Sequence, residues 1–142
     1  MKSSITYVLL FFATATTLSQ SNADRQSILT LCLNQTEMVI AQHINAEGET
    51  VVPVVTNTSI PNTLTVSYFE TPIVFLTEQE ILAMQLSAYL KFEHFAIVSP
   101  TQAQATFVYN CSGDCNSRRY VLEFKKYTND WSISSNQTSE IK

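Results

Sequence analysis

Cys111 and Cys115 flank a Ser-Gly-Asp turn in the run YNCSGDCNSRRY, and three kinds of chemistry suit two thiols at that spacing. A zinc site needs four ligands, and beyond this pair the chain offers one further cysteine and two histidines, with no matching second pair. A redox centre is more typically Cys-x-x-Cys. A disulfide clip is geometrically plausible, because cysteines on either side of a short hairpin turn can approach within the required α-carbon separation of about 4.4–6.8 Å. Structural pairing of Cys111 with Cys115 is the leading expectation, and metal and reactive-thiol readings stay behind it. Cys32 is the odd cysteine, four residues after Ile28 on an apolar stripe. It reads as a buried free thiol, with a disulfide-linked dimer as the sharper alternative.

The remaining candidates for chemistry are His43, His94 and scattered carboxylates. His94 lies in FEHFAIV, where alternation groups it with Phe92, Ala96 and Val98, so it could face a core or a pocket. His43 more simply complements a helix C-terminus, and Glu78 and Glu80 suit the first turn of a helix. No catalytic residue is assigned and no cofactor is expected. Two glycines, Gly48 and Gly113, cannot build a phosphate-cradling loop, and neither Gly-x-Ser-x-Gly nor His-Glu-x-x-His occurs.

The first 23 residues have one basic side chain, an apolar stretch over 5–13, and the small residues Ser21 and Ala23 before Asp24. That pattern reads as a secretory signal peptide, which places the rest of the chain outside the cytoplasm as a secreted or periplasmic protein. The apolar stretch falls short of the roughly 20 residues of a membrane span. From Asp24 onward seven basic residues face twelve acidic ones, which argues against nucleic acid as a partner. The triplets at Asn34, Asn57, Asn110 and Asn136 fit the N-glycosylation pattern. In a eukaryotic host Asn57 and Asn136 would be the better acceptors, since Asn34 falls on a helix and Asn110 beside the cysteine turn.

The elements that must position these residues read as follows. Residues 24–44 have the three-and-four apolar spacing of an amphipathic helix, closed by Asn45 to Gly48. TVVPVV and LTVSYFE are β-rich, with Pro53 pointing to an edge strand or bulge. TEQEILAMQLSAYL opens with a capping box, Thr77 and Glu80, and carries an apolar stripe of Leu82, Leu86, Tyr89 and Leu90. FEHFAIV, ATFVYN, RRYVLEFKKY and DWSISS then read as a closing antiparallel meander, with a loose tail over 136–142. The expected class is α+β: a single domain over 24–142, a curved antiparallel sheet of about five to six strands on one or two helices.

QATFVYN, YVLEFKKYTNDW and the final Trp131-Ser132-Ile133 make the C-terminal half similar to small nuclear-transport-factor-like, or cystatin-like cone, domains. The resemblance covers roughly residues 78–135. It implies a cone-like sheet whose concave face could carry a pocket, with His94, Tyr89, Tyr109 and Trp131 as candidate lining. Such domains include pocket enzymes and non-enzymatic binding or accessory modules, and no catalytic residue of theirs matches a position here. The expected function is therefore an exported binding or accessory domain without catalytic activity, its protein or small-molecule ligand unspecified. The alternatives are a cone-fold enzyme of hydrolase or isomerase type centred on His94, and a structural envelope or surface protein assembling through an edge strand.

Overall fold

Apolar residues alternating from Ala88 onward build four long strands, β5 (Ala88–Ser99), β6 (Gln102–Cys111), β7 (Ser117–Tyr127) and β8 (Asp130–Ile141), paired antiparallel in sequence order. The computed structural model describes residues 22–35, 43–56, 60, 63–113 and 115–141. Cross-strand neighbours share a face. One row, Phe92, Phe107 and Tyr120, ends at Thr138; the next, Phe95, Ala105 and Leu122, ends at Asn136. The Phe107 and Tyr120 rings stack 5.0 Å apart, and Phe92 lies 4.9 Å from Phe107. These rows form the concave, buried face of a strongly curled open sheet.

The other strands are β1 (His43–Ile44), β2 (Thr50–Val55), β3 (Ser67–Tyr68) and β4 (Thr71–Leu76). The sheet order is β3-β4-β2-β5-β6-β7-β8, with β1 beside β2, so the described residues form eight strands where the sequence suggests five or six. It is also mixed, because β2 runs parallel to both β4 and β5. The connection from β4 to β5 therefore crosses β2, and α2 (Glu78–Ala83) is its crossover helix. Pro53 sits in this interior strand rather than at an edge. On the side shared by β1 and β5, pairing covers residues 50–51 and then 54–55, leaving a gap in which a missing N–H costs no ladder bond.

Helix α1 (residues 22–33) places Ile28, Leu29, Cys32 and Leu33, all fully buried, on the concave core. Burial of each of the three aliphatic side chains is worth about 1.5–3 kcal/mol. Both ends of α1 are tied to β8. The Asp24 Oδ1 accepts from Trp131 Nε1–H at 2.9 Å and from Lys126 Nζ at 2.8 Å, and Asn136 Nδ2 donates to Gln35 Oε1 at 3.0 Å. The eleven steps from Asp24 to Gln35 rise about 16 Å at helical pitch, and the five steps from Trp131 to Asn136 cover about the same length. The helix therefore lies along the strand and matches it end to end.

α1 is shorter than its apolar spacing suggests. Asn34 closes the last turn onto the Thr30 carbonyl, and its side chain accepts the Phe69 N–H at 2.9 Å. Residues 36–42 lie outside the described residues, and His43 belongs to β1, not to a helix end. The donor that Asn34 holds belongs to a two-residue hairpin turn in which Phe69 (φ 41°) and Glu70 (φ 70°) both take left-handed backbone, the conformation a type I′ turn demands. α2 also ends early, because Leu90 and Phe92 are drawn into β5. Ile81 is its buried residue, while Leu82, expected on the apolar stripe, is 76% exposed. Of the expected leader, residues 1–21 lie outside the described residues. Asn136–Ile141, expected as a loose tail, continue β8 in register with β7.

Candidate functional site

Alternation fails at the histidine singled out from the sequence. A bulge between Phe92 and His94 puts Phe92 and Phe95 in the core and leaves Glu93 and His94 exposed on the surface. Tyr109 is buried in the core, and Trp131 is buried with its indole N–H committed to Asp24. Packed side chains from α1 and the sheet form the buried core on the concave side. Asn136 is exposed on β8, and Asn57 lies outside the described residues.

Of the four, Tyr89 lines a groove on the opposite, convex face. It sits at the start of β5, not on a helix, directly across from Asn110 of β6. Together with Gln85, Leu86, Ser112 and Ser117 it borders an open-sided groove of about 510 Å³ between the end of α2 and the cysteine turn.

One wall is fixed by the turn. Cys111 and Cys115 lie at disulfide separation, with α-carbons 5.8 Å apart. Within the same turn, the Cys111 N–H donates to Ser117 Oγ at 3.0 Å and the Ser117 hydroxyl donates back to the Cys111 carbonyl. The Ser87 carbonyl accepts from both the N–H and the hydroxyl of Ser112, which ties the turn to the segment leaving α2. The two thiols thus act as a clip on a groove wall.

The other wall is the end of α2. Thr77 and Glu80 form the expected capping box, and the Thr77 backbone and hydroxyl hydrogen bonds hold the Glu80 carboxyl below its usual range. Glu78 pairs with Lys91 on the convex face, and this partner raises the Lys91 pKa. At the far end Leu86 N–H bonds to the Ile81 carbonyl and Gln85 N–H to the Leu82 carbonyl, the two bonds of a Schellman motif. That motif wants glycine at its left-handed position, and Gln85 occupies it with φ 53°. The strained backbone aims a carboxamide at the groove rim, where relaxed sequence choice would leave no side chain.

Among the described residues, those bordering this groove are neutral: carboxamides from Gln85 and Asn110, hydroxyls from serines and Tyr89, and an aliphatic floor from α2. Such a surface can exchange hydrogen bonds in both directions and cover an apolar face. Asn110 and Gln85 escape a reading of the sequence because the first depends on β5–β6 register and the second on where α2 stops. A second, smaller groove of about 130 Å³ lies at the opposite end of the meander, by Val98, Gln104, Glu123 and Lys125. Cys32 is fully buried and burial pushes its thiol far above the ordinary range, so it is an unreactive packing residue in the folded chain. Comparison with known protein families, curated proteins and solved structures finds no match for this chain.

Proposed function

We propose that this chain is a small exported binding or accessory domain that performs no chemistry and uses the convex groove beside the cysteine turn to hold an uncharged ligand rich in hydroxyl or amide groups. The observation that carries the reading is Gln85. A side chain kept in left-handed backbone at the rim of a neutral polar groove is a cost the fold bears locally, and strain of this kind clusters at binding sites. The clip at Cys111 and Cys115 supports an oxidising compartment and a pre-organised wall, which lowers the entropy lost on binding. The helix packed in a curled sheet is compatible with the cone-like resemblance, with the site moved to the convex side. Among the described residues no helix is long and apolar enough to cross a membrane.

The test is a titration of isotope-labelled protein, disulfide intact, with a panel of uncharged oligosaccharides and end-capped uncharged peptides, followed by backbone amide shifts. The expected result is saturable movement clustered at Gln85–Tyr89 and Asn110–Ser112, weakened by Asn110→Ala. Movement confined to other surfaces, or turnover of any probe, would reject the reading. The alternative of a His94-centred enzyme gains nothing from an exposed His94.

A further inference from the structure

The two ends of the sheet are finished differently. At one end the outermost strand, β3, is two residues long and pairs with Thr71 and Pro72 of β4. At the other, β8 runs twelve residues and, within the described residues, pairs only with β7. Proteins usually guard such an edge with lysine, proline or a bulge. Asp130–Ile141 contains no Lys, Arg or Pro. Its one irregularity is the register shift that skips Ser134, after which Ser135–Ile141 continue regularly. These seven residues carry one charge, Glu140, which already faces Arg118 of β7 at 3.8 Å.

We propose that this edge is a homodimer interface in which β8 pairs antiparallel with β8 of a second copy about a two-fold axis at Thr138. The register is the one that uses all seven regular residues. It sets Gln137 opposite Ser139 and Ser135 opposite Ile141 on the convex face, and Asn136 opposite Glu140 on the concave face. Facing parity is preserved throughout, since the β7 partners of 136, 138 and 140 share one face and those of 135, 137 and 139 the other. Each acidic side chain meets a neutral carboxamide, so no like charges oppose each other even though the chain as a whole is acidic. The contact is isologous, each copy contributing the same edge, so pairing through β8 closes at two. The proposal does not rest on the groove reading, although Ser117, which borders the groove, is the β7 partner of Ile141.

The experiment is sedimentation velocity and light scattering on the disulfide-intact chain over a concentration series, with two charge variants on the exposed convex face. Wild type is expected to pass from monomer to dimer with rising concentration. Gln137→Lys with Ser139→Lys places two like-charged pairs across the axis and should weaken the dimer about tenfold or more. Gln137→Lys with Ser139→Glu places two opposite-charged pairs there and should restore or exceed wild-type association. Circular dichroism confirms that each variant is folded, and if the double-lysine chain is not, the lysine–glutamate chain decides. A wild type that stays monomeric, a species larger than a dimer, or association indifferent to the charge swap would each overturn the proposal.

Discussion

Gln85 shows how one residue can tie stability and binding together in opposite senses. Glycine at its position would remove the left-handed strain and complete the Schellman motif, so Gln85→Gly should raise stability by about 1 kcal/mol in chemical denaturation. The same change deletes a groove carboxamide and should weaken ligand binding. A variant that is both stabler and fully competent would show the strain to be incidental. Cys32 makes a prediction of pH dependence. Its folded pKa is raised, so the unfolded thiol ionises first as pH rises past its ordinary value of about 8.5. The stabilising contribution is complete below that pH and is lost above it, by about 1.4 kcal/mol per pH unit until the folded thiol ionises. Cys32→Ala should be less stable at neutral pH because a packed side chain is lost, yet its stability should fall less steeply than wild type between pH 8.5 and 10. Parallel pH profiles would refute the assignment.

Among the elements, α1 depends on its two ties to β8. Trp131→Phe removes the indole donor and some buried volume and should cost about 2–3 kcal/mol, whereas Asp24→Asn keeps an acceptor oxygen and gives up mainly the ion pair with Lys126, about 1 kcal/mol. Equal losses in the two variants, measured by urea denaturation, would mean that charge rather than the indole bond anchors the helix. How far such elements can be read from sequence varies with the range of their determinants. The capping box at Thr77 and Glu80 and the four closing strands are legible because caps, turns and alternation are local. The length of α2 is not, since Ala88–Leu90 have helix-compatible propensity and only the register with β6 makes them strand. TPIVFL escapes as a strand because its Pro72 and short apolar run look like a loop, and its parallel pairing with β2 joins segments about twenty residues apart. His94 is misplaced by a single bulge, since one extra residue in a strand of period two reverses every facing assignment beyond it.

At the scale of the whole molecule, the three thiols lie in three different situations, which makes them a combined readout of fold and compartment. Cys32 is enclosed by α1 and the sheet, while Cys111 and Cys115 clip an exposed turn whose closure restrains the unfolded chain by only about 2 kcal/mol. The domain should therefore stay folded when the clip is reduced, with the groove wall loosened and the core intact. Intact mass after alkylation tests this in steps. Native, unreduced protein should take up no alkylating agent. Denaturation alone should expose one thiol, Cys32; reduction without denaturation should expose two, Cys111 and Cys115; and both treatments should expose all three. The same spectra report the mature N-terminus, for which export predicts a chain beginning at Asp24, the residue whose carboxylate pins α1 to Trp131. Uptake of all three labels by native, unreduced protein would remove both the buried thiol and the clip, and with them the case for an oxidising compartment. A mass retaining the first 23 residues would leave the clip standing and defeat the leader assignment alone.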